Sequence, residues 1–141
     1  MSARLEGHCL CGAVLIAVDR MAGGAYACHC SMCRRWSGAA MWGFATPADA
    51  VSVSGGIARY RSSAFAERAW CPECGTHLWI RDDGADYELT PGLFDDAADM
   101  PLDREVYADR AFACVRLAGD HPKVSRADYE RDNPFVEGDA P

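Results

Sequence analysis

Cys71-Pro72-Glu73-Cys74-Gly75 has the form of a zinc knuckle: two cysteines flank a tight turn, and the glycine frees the backbone just after it. Two thiolates make half of a tetrahedral zinc site, so a second pair is needed. Cys9-Leu10-Cys11 supplies it. Read as a strand, this segment puts both cysteine side chains on one face, about 6.6 Å apart at the backbone. Both can then reach one ion with Zn–S bonds of about 2.3 Å. A metal clip closing a loop of about 60 residues removes considerable entropy from the unfolded chain. Cys9, Cys11, Cys71 and Cys74 are therefore expected to hold a structural zinc.

A third cluster, Cys28-His29-Cys30-Ser31-Met32-Cys33, lies between these two pairs. Its spacing lets one short loop wrap Cys28, Cys30 and Cys33 around a second ion. Zinc takes four ligands, so the last position falls to His29, a distant side chain, water or substrate. A site with a vacancy can bind an incoming thiol and hold it as thiolate near neutral pH. Three anionic sulfurs make the metal a weak Lewis acid but a good carrier of nucleophilic sulfur. Thiol chemistry is favoured over hydrolysis of amides or phosphates. Arg34 and Arg35 follow at once, and their guanidinium groups are candidates to clamp substrate carboxylates. If His29 closes the triad instead, the chain reads as a non-catalytic zinc module that binds a protein or a small thiol.

The chain has 141 residues, enough for one domain with a modest core. Its formal net charge of −7 argues against a general nucleic-acid binder, since phosphate contacts need a basic surface. Eight cysteines raise the rival of a disulfide framework, which requires an oxidising compartment. The segment Met1-Ser2-Ala3-Arg4-Leu5-Glu6-Gly7-His8 has no apolar core of the kind a secretory signal carries. No run approaches the roughly 18–20 apolar residues of a membrane span. A cytoplasmic protein with reduced thiols and no membrane partner is expected.

Short strand signals dominate. They fall at Ala13 to Val18, Ala25 to Ala27, Ala40 to Ala45, Val51 to Val53, Arg59 to Arg61 and Ala64 to Trp70. His77 to Ile80 and Tyr87 to Leu89 form a hairpin around Asp82-Asp83-Gly84, and Glu105 to Tyr107 is a weak late strand. The best helical candidate is short, Ser31 to Trp36. The tail beyond Pro134 is polar. An all-β domain follows.

Three segments together resemble the glutathione-dependent formaldehyde-activating enzyme family, whose domain is shared with centromere protein V. They are Gly7-His8-Cys9-Leu10-Cys11-Gly12-Ala13-Val14, Cys28-His29-Cys30-Ser31-Met32-Cys33-Arg34-Arg35-Trp36-Ser37-Gly38 and Cys71-Pro72-Glu73-Cys74-Gly75-Thr76. The likeness runs through about residues 4–125. It implies a single domain over residues 1–141, a zinc-bearing β-tent of coiled antiparallel sheets with short helical turns. It implies two zincs: a structural one on Cys9, Cys11, Cys71 and Cys74, and a catalytic one on Cys28, Cys30 and Cys33. It also implies a carbon–sulfur lyase akin to S-(hydroxymethyl)glutathione synthase, with a glutathione-like thiol and a formaldehyde-like aldehyde as partners.

Other residues read as structural. Cys114, in the apolar run Phe112-Ala113-Cys114-Val115, reads as a buried core cysteine. His8, His77 and His121 have no partner at ligand spacing and read as structural or solvent-facing. Trp42, Phe44, Trp70 and Trp79 read mostly as core, with Trp42 or Phe44 the best placed to line a pocket near the triad.

Overall fold

A computed structural model describes residues 4–133, and the tail beyond Pro134 lies outside them. The fold is mainly β, with eleven strands and only two α-helices among the described residues. The chain divides into two compact units, Met1–Gly24 with Gly43–Met100 and Ala25–Trp42 with Pro101–Pro141.

In the first unit β1 (Leu5–His8), β2 (Leu15–Val18) and β5 (Val51–Ser54) form an antiparallel sheet with β2 in the middle. Alternation sets its inner face: Ile16 and Val18 are buried, while Leu15 is exposed. A second antiparallel run pairs β4 (Met41–Thr46), β9 (Tyr87–Leu89), β8 (His77–Asp82), β7 (Ala66–Trp70) and β6 (Ala58–Arg61), in that order. Phe44, Leu89, Trp79 and Ala69 align across this run, and all four are buried. Phe44 meets Phe94 edge-on at 5.7 Å between ring centroids. The buried Trp79 donates its indole N–H to Glu67 at 3.0 Å, so its polar atom is not stranded. Cys9 and Cys71 belong to the same core.

The second unit differs from the expected antiparallel pairing. Here β10 (Leu102–Val106) pairs in parallel with both β3 (Ala25–Cys28) and β11 (Lys123–Val124). Parallel neighbours need long connections rather than hairpins, and the sequence separations here are of that kind. The helix α1 (Ser31–Ser37) follows β3 directly. The Cys30 sulfur caps it by accepting the Cys33 N–H at 3.4 Å. Ser37 closes its end, donating its hydroxyl to the Cys33 and Ala40 carbonyls. The helix α2 (Arg126–Asp132) is capped by Ser125, which accepts the Asp128 N–H at 3.1 Å.

Candidate metal centres

In the first unit two turns bring four sulfurs together. Cys9 to Gly12 form the turn between β1 and β2, closed by the Gly12 N–H on the Cys9 carbonyl at 3.1 Å, with Gly12 at φ +82°. The pair was expected on a strand; a turn delivers both sulfurs by curling rather than by alternation. Opposite it, the knuckle closes with the Gly75 N–H on the Cys71 carbonyl at 2.8 Å, with Gly75 at φ +78°. A side chain is strained at such an angle, which explains the glycine after each pair. Thr76 links the turns, since its hydroxyl accepts the Leu10 N–H at 3.0 Å.

The sulfurs of Cys9 and Cys11 lie 3.7 Å apart, and those of Cys11 and Cys71 lie 3.9 Å apart. Ligands on a tetrahedral zinc with bonds of about 2.3 Å stand about 3.8 Å from one another. A disulfide would need about 2.05 Å, and all eight cysteines are unbridged. The donor set of Cys9, Cys11, Cys71 and Cys74 fits a closed site. The Thr76 hydroxyl and backbone N–H hold the Cys74 thiol down to about 5. Cys11 goes the other way. A backbone N–H from Ala13 favours its thiolate, but burial and three neighbouring sulfurs push it up to about 12. Ionising all four sulfurs would set them repelling one another, which is the electrostatic demand a dication would meet.

In the second unit the end of β3 and the first turn of α1 gather Cys28, Cys30 and Cys33, whose sulfurs all lie within 4.8 Å of one another. Cys30 and Cys33 are buried and Cys28 partly so. The Cys28 thiol is pushed well up by the adjoining Cys30 and Cys33 sulfurs, with burial adding to it. Among the described residues no fourth histidine, cysteine or carboxylate joins this cluster. The three donors fit a zinc with one position left over.

His29 is not turned to the triad. It is fully buried, and its Nε2 lies 2.8 Å from Glu105 Oε1. The other carboxylate oxygen meets His121 Nε2 at 2.5 Å. The expectation for His121 is thereby corrected: its side chain is 4% exposed, and its partner comes from a neighbouring strand rather than a spaced motif. Tyr107 is also new. It is buried with a left-handed backbone (φ +54°), and its hydroxyl donates to Glu130 at 2.9 Å. Burial and Glu130 push its phenol up, and the Cys30 and Cys28 sulfurs add to this. Nothing in the local sequence marks either residue.

Arg34 donates to the Arg110 carbonyl at 2.9 Å and lays its guanidinium 4.8 Å from the Phe112 ring centre, while Arg35 is exposed. Phe44 lies in the core of the first unit, and Trp42 is 37% exposed. Cys114 is exposed, against expectation, because its apolar run forms a turn closed by the Val115 N–H on the Phe112 carbonyl. His8 is exposed and His77 half-buried, with His77 lowered by burial and by Arg68.

The mainly β fold carries one cluster of four cysteines and one of three. Residues 4–110 match the family model described as glutathione-dependent formaldehyde-activating enzyme. An uncharacterized lyase of Schizosaccharomyces pombe is 32% identical over 116 residues, covering 80% of this chain and 85% of that protein. A crystal structure of a Rhodobacter sphaeroides protein shares the fold with a TM-score of 0.56 at 21% identity, covering 84% of this chain and 99% of that one. The chain belongs to the glutathione-dependent formaldehyde-activating enzyme family.

Proposed function

We propose that the protein is a zinc-dependent carbon–sulfur lyase that joins or releases a glutathione-like thiol and a formaldehyde-like aldehyde. One observation carries the reading: three sulfurs converge while no fourth histidine, cysteine or carboxylate joins them among the described residues. The family supports the thiol and the aldehyde, and the name of the yeast relative supports the lyase class.

Two zincs per chain are expected, one on Cys9, Cys11, Cys71 and Cys74 and one on Cys28, Cys30 and Cys33. Cys28, Cys30 and Cys33 would hold the zinc, which would favour the thiolate form of an incoming sulfhydryl near neutral pH. In the adding direction the thiolate sulfur bonds to the carbonyl carbon. The π electrons move to oxygen, and the alkoxide takes a proton from water, which balances the proton the sulfhydryl released to solvent on ionising. Release is the reverse. Arg35, exposed one turn beyond Cys30, and Arg34, steadied by Phe112, supply cations for the carboxylates of a glutathione-like thiol. The family match runs through residues of both units, which supports one functional domain. Thiol clusters of this kind need reducing surroundings, which supports the cytoplasm; no helix among the described residues is long and apolar enough to cross a membrane.

Exchange spectroscopy on glutathione and formaldehyde tests the reading. Interconversion of free and adduct signals should accelerate in proportion to metal-loaded protein. No acceleration by fully loaded, reduced protein would overturn it.

A further inference from the structure

We propose that Glu105 is a positioning residue for the three-thiolate site: by holding the His29 ring it fixes the backbone between Cys28 and Cys30, and so sets that site's affinity for metal. The inference rests on the triad being a metal site, as argued above.

His29 stands between two of the three ligands. Its main-chain N–H is bonded to the Val106 carbonyl at 3.1 Å, and its ring is fully buried on Glu105. A carboxylate only accepts hydrogen bonds, so His29 and His121 both present Nε2–H to Glu105. Glu105 itself sits in β10, in register with Ala27 of β3 and Lys123 of β11. Its own N–H is bonded to the Pro122 carbonyl at 2.9 Å. One carboxylate thus ties together the ligand loop, β10 and the segment leading into β11.

The fold alone does not call for this cluster. β3 and β10 are already joined through their backbones. Apolar side chains of like volume in place of a buried ionic group are often as stable or more so. What a buried, fully used carboxylate gives is orientation, and a metal site needs it, since ligand distances tolerate only about 0.2 Å. A hydrogen bond made directly to a ligand is typically worth about 10–100-fold in metal affinity. Glu105 acts one residue further out, through His29, which places its effect at the low end of that range.

The test uses the full chain, reduced and loaded with zinc or cobalt, and titrated with a chelator of known affinity. Glu105→Gln and Glu105→Ala should weaken the triad about tenfold and shift its cobalt ligand-field bands. The four-thiolate site should keep wild-type affinity. His121→Ala, which leaves the His29 bond in place, should show a smaller loss at the triad alone. If Glu105→Ala fails to fold, Glu105→Gln and His121→Ala decide. Unchanged affinities and bands in these variants would overturn the proposal, as would equal losses at both sites, which mark a global folding defect. Wild-type protein binding one metal per chain would overturn it together with its premise.

Discussion

The hydroxyl of Thr76 lies 3.2 Å from the sulfur of Cys74, inside the loop that delivers that sulfur to the four-cysteine cluster. It is the largest influence holding the Cys74 thiol down to about 5, ahead of the Thr76 backbone N–H. Thr76→Val keeps the shape and deletes the hydroxyl. The Cys74 thiol should then rise, and protons should compete with metal at a higher pH. Acid titration of the loaded protein, read as metal release, should show the four-thiolate step moved upward with the triad step unmoved.

The two clusters should fail differently. Cys74→Ser removes a sulfur from the cluster that joins the β1–β2 turn to the knuckle, with Cys9 and Cys71 in the core. Loss of the near-ultraviolet dichroism and of all bound metal is expected. Cys33→Ser should lose one metal per chain and retain the fold. Metal analysis beside circular dichroism checks both, and equal loss of structure in the two variants would contradict the division of labour.

Glu105 gives a pH dependence whose sign can be worked out. Burial opposes its ionisation, but hydrogen bonds from His121 and His29 outweigh it and hold the carboxyl below its ordinary value. A carboxyl with a folded pKa below the unfolded one, about 4.3, stabilises the protein above that value. The contribution is lost as pH falls through the folded pKa. Denaturant titrations from neutral to acid pH should show a steeper loss in wild type than in Glu105→Gln.

Phe44→Ala should cost about 3–5 kcal/mol of stability, the usual range for a fully buried aromatic. Chemical denaturation measures it. Exchange activity per folded molecule should be unchanged, because Phe44 packs on Phe94 within the core of the first unit.

Features written in local spacing were legible in the sequence. The knuckle, the triad and the helix from Ser31 stand close to where expected, because short-range chemistry dictates each one. The hairpin of β8 and β9 was legible too, since Asp82-Asp83-Gly84 interrupts two runs of strand formers. β1 was missed because Glu6, Gly7 and His8 carry no strand signal, and pairing to β2 supplies what propensity lacks. α2 was missed because it buries no residue and so has no apolar stripe. The His29–Glu105–His121 cluster spans 76 and 16 positions, and only the parallel ladder of β3, β10 and β11 brings it together. No periodicity encodes such a meeting. Cys114 shows the reverse error: an apolar run was read as core, and a turn exposes it.

The proposed chemistry needs Cys28, Cys30 and Cys33 to hold a metal with room for one more sulfur. Cobalt-loaded, reduced protein titrated with glutathione tests it most directly. A rise in sulfur-to-cobalt charge transfer saturating at one thiol per chain is expected, absent in Cys33→Ser. A wild-type spectrum that stays unchanged at saturating thiol, with both sites loaded, would contradict it.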